Sequence, residues 1–492
     1  LTLSTIDIAI LLIYMGGIVI FGSWFVRKSG TPDAFMAADR SLKGGIVGLS
    51  IIGTYISSIS FLANPGKAYA ANWNPMVFSF SLPLAAWIAV RYFVPFYRKC
   101  GEISAYHHLE ERFGPWARTY AVVMYLLTQM ARIGTILYLV ALTMTTFIGI
   151  DIRWIIIVTG ILVIIYTLLG GIEAVIWTDA IQTVVLVAGA LISLIVLVVD
   201  TPGGLGKIFS VAVNYHKFSL GSFGFDIAEP TFWVVLIYGF TINLQNFGID
   251  QSYVQRFITA RSDKAAKTSV WMGALAYIPI SAAFFFIGTA LFVYYHIQPG
   301  LLPGDVGGDS VFPYFIVHKL PVGLTGLIIA AIFAAAMSTV DSSLNSSATL
   351  ILQDIYKRYV NPEASDKQSM RVLHGATLIW GIIGTGMALL MIGAQSALDI
   401  WWEYASIFSG GMLGLFLLGL ISRAQNPAAI TGVISGVLVI FWMTVSKNWS
   451  GAWAAFRSPF HTFFVIVIGT LVILLVGLLV SRFRKEKIRV EI

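Results

Sequence analysis

The run Ala334-Ala-Ala-Met-Ser-Thr-Val-Asp-Ser-Ser-Leu-Asn-Ser-Ser347 lies inside an otherwise apolar stretch long enough to cross a bilayer. Each buried hydroxyl costs free energy unless a partner meets it, so this density in one membrane span needs a reason. At about 100° per residue along a helix, Ala335, Ser338, Thr339, Ser342, Ser343 and Ser346 fall on one stripe. Neutral oxygens ranked along one side suit a weakly held hard cation such as Na⁺. The plainer alternative is helix packing, because small residues let helices approach closely. By the same winding Asp341 points roughly 130° away from the centre of the stripe. It is expected to meet a neighbouring helix or the cytoplasmic exit, not a site on the stripe.

The chain around this run is 492 residues long, 58% hydrophobic and 11% charged. Its mean hydropathy is +0.83. Soluble domains carry roughly 25% charged residues, so the protein belongs in a membrane with little room for soluble domains. Thirteen spans are expected near 5–25, 44–72, 76–97, 116–149, 153–170, 174–199, 231–250, 269–295, 322–352, 372–394, 400–421, 427–446 and 460–481. The first lacks a basic leader and a small-residue cleavage site, and is read as a span, not a signal peptide. The single cysteine, Cys100, excludes an intramolecular disulfide and a cysteine-based metal cluster. The net charge of +7 is topological: 22 of the 31 basic residues, Arg256 among them, fall in odd-numbered connections and seven in even-numbered ones. That asymmetry places the N-terminus outside and the C-terminus in the cytoplasm of a multi-pass cell-membrane protein. It requires no nucleic-acid partner.

Within the second span, four glycines (Gly44, Gly45, Gly48 and Gly53) precede Thr54-Tyr-Ile-Ser-Ser-Ile-Ser60, with Pro65 and Gly66 beyond. Glycine clusters and serines beside β-branched residues weaken a helix, and a break near 53–60 would turn free carbonyls inward. The seventh span has its own polar interruption, Thr241-Ile-Asn-Leu-Gln-Asn-Phe-Gly248, five spans later. The spacing predicts two inverted repeats, 44–200 and 231–421, within one transporter domain covering 1–492. An extra helix at 5–25 precedes them and two helices at 427–481 follow. Residues 104–113 read as a short surface helix capped by Ser104. The long connections 200–230 and 296–321 read as solvated loops.

Asp179 follows Gly170-Gly-Ile-Glu-Ala-Val-Ile-Trp-Thr178 near the start of a span. It is either a helix cap or an anionic ligand beside the serine stripe. Arg132 lies 14 residues beyond Arg118 and 19 before Asp151, roughly 21 and 28 Å along a helix, too deep to snorkel out. Its planar fork matches a solute carboxylate, with an internal ion pair to Asp341 or Glu403 as the alternative. Tyr55, Phe61, Phe78 and Tyr238 flank the expected breaks and are candidates for lining a solute cavity. Other functional classes fit less well. An intramembrane enzyme lacks a convincing nucleophile–base pair or metal motif, and a sensor would normally append a signalling domain. A channel would pass solute regardless of ion gradients.

These segments together resemble the solute:sodium symporter family. The carrying motifs are Gly170-Gly-Ile-Glu-Ala-Val-Ile-Trp-Thr-Asp179-Ala-Ile-Gln182 and Ala334 through Ser346, continuing to Asp354-Ile-Tyr356. Within the sodium/glucose cotransporter branch the chain looks most like bacterial sialic acid transporters, helped by Ile332-Phe-Ala-Ala-Ala336 and Leu291-Phe-Val-Tyr-Tyr295. The resemblance implies an all-α, LeuT-like fold with two inverted five-helix repeats, an architecture that places solute and ion sites between broken helices. It implies Na⁺-coupled symport of a small organic solute, a sialic acid or another carboxylated sugar, with neutral-sugar, organic-acid or proton-coupled symport as alternatives. No enzyme activity and no obligate protein partner are expected. Two Na⁺ ions are implied. The principal site would use the carbonyls of Gly53, Ile56 and Ala335 with the hydroxyls of Ser338 and Thr339. A second would use Asp179, Thr339, Ser342 and Ser343. Arg132 would receive the solute carboxylate, with Tyr55, Ser57, Ser58, Ser60 and Ser79 in the same pocket. Tyr55, Pro75 and Ser79 replace a threonine, a phenylalanine and a glutamine of the sialic acid pattern.

Overall fold

A computed structural model describes residues 3–25, 29–57, 59–304, 306–393 and 397–483. Its regular structure is helical throughout the described residues, apart from one isolated bridge between Leu42 and Ala260. The principal helices are α1 (Thr5–Trp24), α2 (Gly44–Tyr55), α3 (Asn64–Ala70), α4 (Asn74–Cys100, with two short irregular turns) and α5 (Pro115–Ile148). They continue with α6 (Ile152–Asp200), α7 (Phe232–Ile249), α8 (Gln251–Thr259), α9 (Asp263–Ile297) and α10 (Leu324–Leu350). The last four are α11 (Asp366–Leu390), α12 (Ala397–Ile421), α13 (Asn426–Val445) and α14 (Phe464–Phe483).

Among the described residues, eleven helices are long and apolar enough to cross a membrane, and the bent pair α2–α3 makes a twelfth candidate. The expectation of thirteen also counts 153–170, which the structure forms as the first part of α6. That part runs into Gly171–Asp200 through a turn at Gly171 (φ 59°, ψ −173°). That backbone conformation favours glycine, and a Cβ there would also press on Phe35 at 3.1 Å.

Burial ranks the helices. In Leu324–Val360, 89% of the apolar stretch is buried, against 17% in α1. The serine-rich α10 is therefore the axis of the molecule. It packs against α6 and α5, with α1 applied outside α6 and α10. The helices α2 and α3 lie along α9, α11 lies on α5, and α12–α14 pack together at the chain's end.

The expected break in the second span is present. The helix α2 ends at Ile56 (ψ 92°), and α3 leaves at 59° to it. Pro65 stands inside the second segment, Ser60–Ala70, just after a widened helical turn over Ile59–Ala63. The second break is displaced from its expected place. Thr241–Gly248 is continuous helix, and the chain bends at Asp250 (ψ 120°) instead. The polar residues there serve contacts between helices: the Asn243 side chain accepts from Tyr55 Oη (3.2 Å) and donates to Ser81 Oγ (2.9 Å). Asp250 Oδ1 accepts from the Ser252 backbone N–H (2.8 Å) and so caps α8. At the far end of α8 the two broken helices are tied together. Leu42 N–H donates to Thr259 O (3.0 Å), and Arg261 N–H to Leu42 O (2.9 Å).

Three local expectations are corrected. The short helix begins at His107 with Tyr106 at its cap, while Ser104 Oγ donates to buried Asp354 (2.8 Å). The connections 200–230 and 296–321 carry helices, Gly204–Asn214 and Val311–Lys319. Arg256, counted as a loop charge, is fully buried in α8.

Candidate solute and cation sites

The break after α2 opens a cavity of about 100 Å³ at the junction of α2, α5, α7, α9 and α12. Tyr55, Ser57, Ser60, Ser79 and Arg132 all line it, so five of the six expected solute contacts converge. Ser58 lies outside the described residues. Ser60 Oγ donates to Tyr55 O (3.1 Å), using one carbonyl released by the break, and Ser79 Oγ donates to Ser281 Oγ (3.1 Å). Tyr55 sits against Tyr253 and Tyr277, each with ring centroids 5.2 Å away. Phe78 and Tyr238, proposed as lining, do line the cavity; Phe61 instead stacks on Phe312 at 5.5 Å and is fully buried.

Arg132 Nη2 donates to Thr54 O (3.0 Å), another carbonyl at the break, and its guanidinium lies 5.8 Å from the Trp401 ring centroid. Among the described residues it makes no ion pair; neither Asp341 nor Glu403 is its partner. The two buried arginines, unlike half-buried Arg132, each hold a carboxylate. Arg118 binds Asp354 and Glu110, and Arg256 binds Asp179. A cation whose partners are one carbonyl, the Tyr253 hydroxyl and an aromatic face, in a cavity, is arranged to receive an anion.

Trp402 closes one end of this cavity. Its ring stacks on Phe78 (5.7 Å, 20°) and meets Phe463 edge-on (4.9 Å). Together with Pro75 it also lines a second cavity of about 430 Å³, in which Lys67 pairs with Asp399 (2.6 Å).

The serine stripe faces protein along its whole length, and every member is buried. Four of its hydroxyls donate to their own helix: Thr339 to Ala335 O (3.2 Å), Ser342 to Ser338 O (2.7 Å), Ser343 to Thr339 O (2.8 Å) and Ser346 to Ser342 O (2.8 Å). Their lone pairs remain available to a donor or cation. Ser338 Oγ, in contrast, makes no hydrogen bond of regular geometry among the described residues, nor does Asp179 Oδ1, and these two side chains are each other's polar neighbours. Gly53 explains the space between them. A Cβ there would lie 2.6 Å from Thr183 Oγ1, 3.0 Å from Ser338 Oγ and 3.3 Å from Asp179 O. Three oxygens thus converge on one point that only a glycine leaves open. Ile56 and Ala335 are buried nearby in sequence, on α2's end and α10. This donor set suits an ion that prefers hard neutral oxygen.

Asp179 is fully buried eight residues beyond the Gly171 turn, so it does not cap a helix. Its Oδ2 accepts from Ser50 Oγ (2.5 Å) and from Arg256 Nη2 (2.8 Å). Arg256 Nη2 also donates to Ser342 Oγ (2.6 Å), Nε to Ser50 Oγ (2.8 Å) and Nη1 to Ser252 O (2.6 Å). Asp341 is likewise fully buried, its Oδ1 accepting from the Ser342 backbone N–H (2.6 Å) and, at 3.4 Å, from Ser342 Oγ, so it borders this cluster although its winding placed it away from the stripe. Sequence reasoning missed Arg256, Thr183 and Ser50. Thr183 was findable, since it stands at i+4 from Asp179 on one helix face. Arg256 was not, because a basic residue near a span's end reads as interfacial.

This arrangement has close counterparts among known proteins. Residues 35–436 match the model of the sodium:solute symporter family. The chain is 33% identical over 494 residues to the sodium/sialic acid symporter NanT of Aliivibrio fischeri, covering 99% of this chain and 94% of that one. It is 34% identical to the sodium/sialic acid symporter SiaT of Proteus mirabilis (96% and 94% covered). To the sodium-coupled monocarboxylate transporter 2 of Bos taurus it is 30% identical (90% and 73% covered). Among solved structures, a substrate-bound, outward-open Na⁺-coupled sialic acid symporter superposes with a TM-score of 0.90 at 32% identity over 98% of both chains. Mhp1, a nucleobase-cation-symport-1 family transporter, shares the fold alone, at a TM-score of 0.62 and 14% identity. The fold is thus the LeuT-like one of Na⁺ symporters. The chain belongs to the sodium:solute symporter family, multi-pass membrane transporters that couple solute movement to Na⁺ and are not enzymes.

Proposed function

We propose that this symporter imports a small organic solute bearing a carboxylate, a sialic acid or another carboxylated sugar, by alternating access around the broken helices. The observation that carries the reading is Arg132, a guanidinium lining the cavity with no carboxylate partner among the described residues. The names of the relatives, sialic acid and monocarboxylate transporters, support the same chemistry. Arg132 receives the carboxylate through its fork; Tyr55, Ser57, Ser60 and Ser79 offer hydroxyls to the sugar, with Ser58 beside them in sequence.

Sodium binds where α2 breaks against α10. The principal site takes the carbonyls of Gly53, Ile56 and Ala335 and the hydroxyls of Ser338 and Thr339. The second takes Asp179, Thr339, Ser342 and Ser343. The related sialic acid symporter structure reveals a novel Na⁺-site of its own, which supports counting two. Each Na⁺ entering down 100 mV and a tenfold gradient supplies about 3.7 kcal/mol, and a monoanionic solute gives back about 2.3, so two ions sustain roughly 5,000-fold accumulation against roughly tenfold for one. Ion binding ties the broken helix to α10 and favours the outward-facing state; ion loss to the cytoplasm releases solute. In this reading the N-terminus is outside and the C-terminus cytoplasmic, with inverted repeats at 44–200 and 231–421.

The test is Na⁺-driven uptake of radiolabelled N-acetylneuraminate by Arg132→Ala and Arg132→Lys in proteoliposomes. Removing one partner of a desolvated charge pair costs about 2–5 kcal/mol, so Arg132→Ala is expected to lose about 30-fold or more in apparent affinity. Arg132→Lys, a point charge without the fork, should fall between. Unaltered affinity in Arg132→Ala would remove the carboxylate from the proposal.

A further inference from the structure

Two of the four ligands assigned to the second sodium ion already hold a cation. Arg256 Nη2 lies 2.8 Å from Asp179 Oδ2 and 2.6 Å from Ser342 Oγ, and the guanidinium is wholly buried. The other oxygen of the same carboxylate, Asp179 Oδ1, is buried and makes no hydrogen bond of regular geometry among the described residues. One carboxylate therefore carries a resident guanidinium and the Ser50 hydroxyl on one oxygen, and beside the other only the Ser338 hydroxyl, itself an ion ligand in the reading above. Building on the two-sodium reading, we propose that Arg256 is a tethered competitor for the second Na⁺. The ion binds Asp179 and Ser342 only as the guanidinium is drawn off them.

Two positive charges on one buried carboxylate oppose each other strongly. At about 5 Å and an effective dielectric constant near 20, their repulsion lowers ion affinity by roughly a hundredfold. In part the guanidinium escapes this cost by moving, since it keeps Ser252 O as a partner away from the carboxylate and Ser50 Oγ as one beside it. Those partners belong to α2 and α8, whereas Asp179 and Ser342 belong to α6 and α10. The guanidinium therefore spans the broken helices and the helices they pack against. When sodium displaces it, one bond set between these two groups is exchanged for another. A carboxylate held half-satisfied in this way also lets go of its ion readily, because the displaced cation is tethered beside it.

Arg256 is a positioning residue here, and its role is separable from solute transport. The experiment measures thermal stabilisation of the purified full-length chain by NaCl alone, with choline chloride at matched ionic strength. Arg256→Gln is expected to reach half-maximal stabilisation at roughly tenfold lower Na⁺ than the parent chain. Arg256→Lys, which keeps the charge but not the fork, is expected to shift in the same direction by less. The double variant Asp179→Asn/Arg256→Gln is expected to lose the leftward shift, because the contested carboxylate is gone. An unchanged or raised half-saturating Na⁺ in Arg256→Gln overturns the proposal, as does a leftward shift that survives in the double variant. If Arg256→Gln does not fold, Arg256→Lys decides alone, and an unchanged value there overturns the proposal. Loss of any Na⁺ response in the parent chain would instead overturn the sodium-symport reading on which this one rests.

Discussion

At Gly53, in the proposed principal sodium site, a single methyl group would crowd three oxygens that glycine leaves clear. The three oxygens around its virtual Cβ come from side chains and backbone on α6 and α10, and the nearest would be 2.6 Å away. Gly53→Ala is therefore expected to weaken Na⁺-dependent stabilisation by tenfold or more, with helix content by circular dichroism unchanged; about 1.4 kcal/mol of lost ion coordination suffices for that factor. A value equal to the parent's would place the ion elsewhere. His461 supplies a different residue-scale test. It lines the cavity beyond Trp402, and burial, with Lys447 nearby, pushes its imidazole down to about 4. The unfolded chain takes up that proton near 6.5 and the folded one only near 4. Stability therefore falls as pH drops from about 6.5 toward 4, since the unfolded state binds more protons there. His461→Phe should flatten that part of a melting-temperature profile. A profile with the same slope would assign it to other groups.

The two broken helices differ in how plainly they are written in the chain. Residues 44–60 carry glycines, a serine cluster and a following proline, each of which disfavours helix on its own, and the break falls among them. The second break rests on one aspartate. Thr241, Asn243 and Gln245 are as polar as the residues that end α2, yet they remain helical; Thr241 Oγ1 donates to Ile237 O of its own helix and Asn243 meets Ser81 across the interface. Polarity in a buried helix marks either a break or a contact, and hydropathy alone does not separate the two. Asp250 caps the restart, and replacing an N-cap aspartate by alanine typically costs about 1 kcal/mol. Asp250→Ala is expected to lower the melting temperature in detergent and Asp250→Ser to retain most of it. Equal melting of both variants with the parent would remove the cap from the account. The serine stripe was legible because a period of about 3.6 residues is fixed by helix geometry. Its fully buried surroundings follow from α10 lying at the axis.

For the whole molecule, span count and composition were enough to indicate a membrane transporter, and the motifs around Asp179 and Ser338 indicated its family. The ion pair between Asp179 and Arg256 was not legible. It joins residues 77 positions apart through a helix that reads as a polar loop end. The solute cavity was legible in its α2 residues and Arg132, which converge with Tyr253, Tyr277 and Trp401 from helices whose aromatic residues look like ordinary membrane packing. In the proposed reading coupling is a property of the entire chain, because ion and solute meet at the same broken helix from different sides. Proteoliposomes loaded without sodium and supplied with radiolabelled N-acetylneuraminate measure it directly. An imposed inward Na⁺ gradient, with the interior negative, should drive accumulation above the external concentration, with a Hill slope for Na⁺ greater than one. Uptake of equal extent in sodium-free buffer, with or without a pH gradient, would contradict the assignment of solute import to sodium at this junction.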